Sequence, residues 1–140
     1  YKNVFSNALS KDDFISATDK VFSALQSYTD EYGVDKNDWT EAVKEYVADN
    51  YTDANLTVAY LAEKFHFSLS HFSRSFKETT GESLSLYIDK VRINNAERLL
   101  EEGLSVEETA TKTGFTDRGT FMRVFKKING ITPSRYKKRA

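Results

Sequence analysis

No cysteine occurs in the chain, which removes disulfides, thiolate metal sites and a thiol nucleophile from consideration and suits a cytoplasmic setting. No stretch approaches the length of a membrane span and no signal-peptide pattern is present, so no membrane contact is expected of these residues. One proline and six glycines leave most of the 140 residues free to be helical. Only two histidines are present, His66 and His71. Five apart, they miss the i, i+4 spacing of a helical metal pair, and no Glu accompanies them. No glycine-rich phosphate loop follows a strand pattern either. Neither a metal, a cofactor nor a catalytic residue is expected. The chain begins with Tyr and is read as a piece of something longer.

Net charge is also nearly absent, at −1, but the balance is uneven along the chain. Residues 1–54 carry 5 Lys/Arg against 11 Asp/Glu, a charge of −6, whereas residues 55–140 carry 15 against 10, a charge of +5. An acidic front and a basic back imply two parts with different tasks, and the basic part is the candidate for a polyanion.

What the chain does contain is a repeat. The frame from Phe72 to Tyr87 returns 49 residues later, from Phe121 to Tyr136. Seven positions are identical: Phe72/Phe121, Arg74/Arg123, Phe76/Phe125, Lys77/Lys126, Gly81/Gly130, Ser85/Ser134 and Tyr87/Tyr136. Two Phe at i, i+4 share one helical face, while Arg and Lys at i, i+3 share another. Such a helix buries aromatics behind itself and presents two cations in front.

Taken in order, Ser10 and Asp13 mark a helix start, and Phe14, Thr18, Val21, Leu25, Tyr28 and Tyr32 form a heptad-like stripe that Gly33 closes. That stripe packs on the rest of the chain or on sequence upstream of it, or lets the residue 10–32 helix self-associate. Asp38 to Glu41 resembles a capping box, opening a helix with Trp39, Val43, Tyr46, Val47 and Asn50 on one side. A turn over residues 50–55 follows. Thr57 then caps a short helix with Val58, Leu61, Ala62 and Phe65 inward. His66 and Phe67 stop it, and Ser68 caps the next helix. A short helix, a tight turn and a second helix with a basic outer face describe a helix-turn-helix. Gly81 ends the first unit.

A helix of about residues 84–102, roughly 28 Å long, links it to the second. Its expected inward face is Leu84, Tyr87, Ile88, Val91, Ala96, Leu99 and Leu100, and Gly103 stops it. The second unit opens on the capping box Ser105 to Glu108. Ala110, Gly114, Phe115 and Thr116 match Ala62, His66, Phe67 and Ser68 at an offset of 48, which becomes 49 afterwards. The helix that carries Phe121 and Phe125 is therefore expected to start one residue longer, with Thr116 as its cap. Thr132-Pro133 begins a last short helix.

These residues carry a resemblance. Leu56-Thr-x4-Ala62 and Phe67-Ser-x3-Phe72-x-Arg-x-Phe-Lys-x3-Gly81 resemble the first helix-turn-helix of the AraC/XylS family of bacterial transcription regulators. Arg92-Ile-x2-Ala96-x2-Leu-Leu100 resembles its linking helix. Gly114-Phe-x-Asp117-x3-Phe121-x-Arg-x-Phe-Lys-Lys-x2-Gly130-x-Thr-Pro133-x2-Tyr136 is similar to its most recognisable stretch. The resemblance covers residues 39–138. It implies two helix-turn-helix subdomains on a connecting helix, bound to adjacent major-groove segments on one face of DNA, with effector sensing elsewhere in the full protein. A contact with RNA polymerase is implied by the resemblance alone. Four positions depart from the family pattern. His66 stands for a glycine at a turn that calls for a left-handed backbone, Thr109 for an isoleucine, and Gly119-Thr120 for Ser-Tyr.

The fold expected is all-α: an acidic helical segment over residues 1–36 and a double helix-turn-helix DNA-binding domain over residues 37–140. The base-facing candidates are Ser70, Ser73 and Arg74 on the first reading helix, and Arg118, Gly119, Met122 and Arg123 on the second. Arg suits the task because its planar fork binds guanine O6 and N7 together. The phosphate candidates are Ser68, His71, Lys77, Thr116 and Lys126. The partner expected is double-stranded DNA. The alternative is a helical protein-interaction module whose reading helices have lost specific DNA binding, with the acidic half as its working surface.

Overall fold

The computed structural model describes residues 11–31 and 38–140, and every regular element among them is a helix. The chain divides into two compact units, Tyr1–Lys36 and Asn37–Ala140. The first holds α1 (Lys11–Glu31), which has Asp12 and Asp13 in its first turn, where carboxylates complement the exposed amides. Phe14, Ile15, Val21 and Leu25 of α1 are exposed. Ser10, Tyr32 and Gly33, and the side chain of Tyr28, lie outside the described residues.

The second unit holds α2 (Asp38–Asn50), α3 (Val58–Lys64), α4 (Leu69–Thr80), α5 (Leu84–Glu101), α6 (Val106–Lys112), α7 (Arg118–Asn129) and α8 (Pro133–Arg139). Two cores hold it together. Val43, Val47, Leu56, Leu61, Ala62, Phe72, Phe76, Leu84 and Ile88 form the first, with Trp39 and Phe67 packed against it. Ile93, Ala96, Leu100, Ala110, Phe115, Phe121 and Phe125 form the second. Both Phe pairs expected to be core are fully buried. In the second core the Phe121 and Phe125 rings meet edge to face at 5.6 Å, and Tyr136 of α8 adds a third ring 5.5 Å beyond Phe125. The Tyr136 hydroxyl donates to Glu101 Oε1 at 2.9 Å, and these carboxylate neighbours push its pKa up to about 12. It stays a donor, and pins α8 to the end of α5.

The α5 helix serves both cores, and its inward set differs from the expected one. Besides Leu84, Ile88, Ala96 and Leu100, it buries Arg92 and Ile93, while Tyr87, Val91 and Leu99 are only half-buried. The reason is geometric. Leu84, Ile88, Arg92, Ala96 and Leu100 stand four apart, and at about 100° per residue a row of fours turns some 40° per step. The buried face therefore swings round the helix, from one core to the other.

Local chemistry sets the ends. Thr57, Ser68, Ser83, Ser105, Asp117 and Thr132 each accept a backbone N–H three residues on, and Ser105 completes a full capping box with Glu108. Gly81 and Gly130 close α4 and α7 in left-handed conformation. Two expectations for the second unit need correcting. Thr116 does not cap α7; Asp117 does, through Thr120 N. Nor is α7 longer: α4 and α7 each have 12 residues, and the extra residue sits in the turn before α7. A carboxylate makes the stronger charge-assisted cap, so the helix begins at the acid rather than at the hydroxyl beside it.

His66 has φ of 61°, the one non-glycine residue in the left-handed region among the described residues, whereas its counterpart Gly114 has 83°. The exposed His66 ring offsets none of that backbone strain by burial. His66→Gly is therefore expected to raise stability by about 0.5–1 kcal/mol, the relief of a left-handed β-carbon less the added entropy of an unfolded glycine. Urea unfolding checks it; a lower midpoint would mean that the imidazole makes contacts worth more than the strain.

Candidate nucleic-acid interface

The reading surface follows from what lies behind it. Phe72 and Phe76 turn one side of α4 inward, so positions 70, 73, 74 and 77 share the opposite side. Ser70, Arg74 and Lys77 are exposed there and Ser73 is half-buried. Together with Glu78 and Ser83 they line an open groove beside the start of α5. On α7, Arg118, Gly119, Arg123 and Lys126 are exposed, while Met122 is half-buried and packs against the second core. The 49-residue offset carries Ser70 to Gly119, Ser73 to Met122, Arg74 to Arg123 and Lys77 to Lys126. Each unit thus presents one Arg and one Lys, a turn apart, at equivalent positions.

His71 is more deeply placed than its neighbours on α4 suggest. It is 8% exposed and its ring lies 5.8 Å from that of Phe67, on the flank of the first core. Its counterpart by the offset is Thr120, also turned partly inward. The ring thus sits deeper than the other four phosphate candidates, Ser68, Lys77, Thr116 and Lys126, which are exposed. Ser68 and Thr116 are both exposed, but only Ser68 caps a helix. The structure adds Leu69, which is 52% exposed at the first position of α4. It was legible: the same offset applied to Arg118 returns it.

Gly119 has ordinary helical dihedrals, yet a β-carbon there would lie 3.1 Å from Asp117 Oδ1. That oxygen is held at 2.7 Å by Thr120 N, and Oδ2 accepts from Thr120 Oγ1 at 2.8 Å. A side chain at this position would crowd the cap, so the residue that weakens the helix also leaves its cap room.

The chain is thus a pair of helix-turn-helix units, each with a basic outer helix, built on one connecting helix. A family model described as a helix-turn-helix domain matches residues 61–139, more than half of the chain. The bifunctional transcriptional activator/DNA repair enzyme AdaA of Bacillus subtilis is 32% identical over 102 residues, covering 72% of this chain and 48% of that protein. A probable AraC family transcriptional regulator from Rhodopseudomonas palustris superposes with a TM-score of 0.61 at 27% identity, covering 70% of this chain and 93% of that one. The DNA-binding domain of the global transcriptional factor AdpA, solved with a target DNA, gives a TM-score of 0.66 at 26% identity, over 71% of this chain and 90% of that one. The chain belongs to the AraC-type helix-turn-helix family of transcription regulators. It spans half or less of the length of the curated relatives it matches.

The backbone and hydroxyl of Thr120 hold the Asp117 carboxyl below the usual carboxylate range. A carboxyl with a depressed folded-state pKa stabilises the fold above its ordinary value, 3.8, and that contribution is lost as pH falls through the folded value. The melting-temperature deficit of Asp117→Ala is accordingly expected to be largest near neutrality and to shrink below pH 3.8. A deficit constant from neutrality to acid, by circular dichroism, would mean that the charge adds nothing to the cap.

Proposed function

We propose that residues 37–140 bind double-stranded DNA sequence-specifically, with α4 and α7 in adjacent major-groove segments. The observation that carries this is the paired Arg and Lys, exposed at equivalent positions of two buried-Phe helices in one compact unit. Arg74 and Arg123 read base edges, with Ser70, Ser73, Leu69, Arg118 and Met122 beside them. Leu69 and Met122 suit a thymine methyl. Lys77 and Lys126, one turn further along, neutralise phosphate, and the neutral Ser68 cap occupies only the His71 amide, leaving the other first-turn amides of α4 to an anion. For two helices on one DNA face the half-sites are about one turn, some 10 base pairs, apart, and a monomer prefers an asymmetric site of about 17–20 base pairs. No catalytic role is assigned. The reading places the domain in the cytoplasm and allows a contact with RNA polymerase on a face away from DNA.

With about six phosphates neutralised, affinity is expected to fall on the order of a thousandfold between 50 and 200 mM salt. Arg74→Ala and Arg123→Ala are each expected to cost about 1–3 kcal/mol on the preferred duplex and to relax base preference. Fluorescence anisotropy on preferred and random duplexes measures both. A flat salt response would rule out DNA as partner, and equal losses on both duplexes would make the two Arg phosphate contacts.

The acidic segment of residues 1–36 carries a second part of the reading, self-association through α1. Phe14, Val21 and Leu25 are 65%, 60% and 58% exposed at heptad-like spacing, with Thr18 between them. Val21→Asp with Leu25→Asp is expected to convert a concentration-dependent dimer to monomer in sedimentation equilibrium. A monomer at all concentrations in the unaltered chain would remove this role.

A further inference from the structure

The middle residue of the buried row on α5 is not apolar. Leu84 and Ile88 lie in the first core, Ala96 and Leu100 in the second, and Arg92 sits where the two meet, 8% exposed. Its Nε donates to Tyr51 O at 3.0 Å, and its Nη2 donates to Asp53 O at 2.8 Å and Leu56 O at 3.4 Å. All three acceptors are backbone carbonyls of the turn that leads into α3, the first helix of the first unit. The other side of the guanidinium lies 5.7 Å from the centroid of Phe115, in the turn between α6 and α7 of the second unit. Beside it, a β-carbon on Gly114 would lie 2.3 Å from Tyr51 O and 3.0 Å from Arg92 Nε. The two units therefore meet turn against turn, with one guanidinium between them and no room for a side chain on Gly114. A planar fork with fixed donors holds such a turn at one distance and one angle, which a flexible ammonium does not.

We propose that Arg92, seated against Gly114, is a positioning residue that fixes the orientation of α4 relative to α7 and thereby sets the spacing of DNA half-sites the domain accepts. The residue lies in the interior seam and touches no DNA itself. The proposal rests on the reading that both helices bind DNA.

The test uses the full 140-residue chain, the duplex it selects from a random pool, each half-site alone, and the same duplex with one to five base pairs inserted between halves. Unaltered protein is expected to lose about a hundredfold by the five-pair insertion, down to single half-site binding, because its linked units cannot follow. Arg92→Lys and Arg92→Met are expected to bind each half-site within about twofold of the unaltered chain, to lose about tenfold at the selected spacing, and to lose less than about threefold more on insertion. Ile93→Val, a neighbouring core truncation, is expected to lower the melting temperature with the spacing profile unchanged. An unchanged profile in both Arg92 variants would reduce Arg92 to a stabilising contact and overturn the proposal. Loss of helical circular dichroism in both would overturn it as well, making Arg92 a requirement of folding. No spacing preference in the unaltered chain would instead bring down the two-helix reading itself.

Discussion

A buried guanidinium bonded to backbone carbonyls is the constraint on which the rest of residues 37–140 turns. Burial lowers the pKa of Arg92 from its ordinary value, and the fields of Asp89 and Asp53 oppose that loss. What makes the site tolerable is hydrogen bonding: three carbonyls of one turn accept from two nitrogens. The same bonds give partners to Tyr51 O and Leu56 O, and a second one to Asp53 O, which already accepts from Leu56 N. The connecting helix is thus more than a spacer. Its row of fours places an aliphatic pair in each core and a charge where the cores meet, so both units are fixed to one rod from opposite ends.

Most of this was legible, and the reasons differ by element. Caps, stops and Phe pairs are local chemistry, and Thr57, Ser68, Ser105, Gly81 and Gly130 do what their positions imply. The left-handed backbone at His66 follows from its place before a cap, whatever residue stands there. Arg92 was visible only as a member of a family stretch, because an Arg in an amphipathic helix reads as solvent-facing by default. Its burial depends on Tyr51 O and Leu56 O, acceptors contributed by backbone 36 to 41 residues away, which no window on α5 contains. The burial of His71 was hidden for the opposite reason: a polar ring between Ser70 and Ser73 on the outer side of α4 passes for surface until Phe67 is placed beside it.

The turn before α7 was misread for a different cause. Two hydroxyls at matching offsets, Ser68 and Thr116, look equivalent, and the single inserted residue was charged to the helix. Asp117 decides otherwise, since a carboxylate accepting two bonds from Thr120 outcompetes the hydroxyl before it. Thr116 then supports Asp117 from outside the helix.

That substitution belongs to a broader asymmetry between two units of the same design. In the first, both helix N-termini are closed by neutral hydroxyls, Thr57 and Ser68. In the second, both carry carboxylates, Glu108 of the capping box and Asp117, held below their usual pKa by hydrogen bonds from Ser105 and Thr120 respectively. A carboxylate complements the positive end of a helix better than a hydroxyl does, and so stabilises it more. The same charge occupies the amides and cancels the field that would draw a phosphate. The second unit is therefore the more firmly closed and the first the more receptive to an anion. The exposed cations differ as well: Arg118, Arg123, Lys126 and Lys127 on α7 against Arg74 and Lys77 on α4. The extra cations at 118 and 127 offset the anionic caps, so two units closed by different chemistry both keep exposed positive charge on their outer helix.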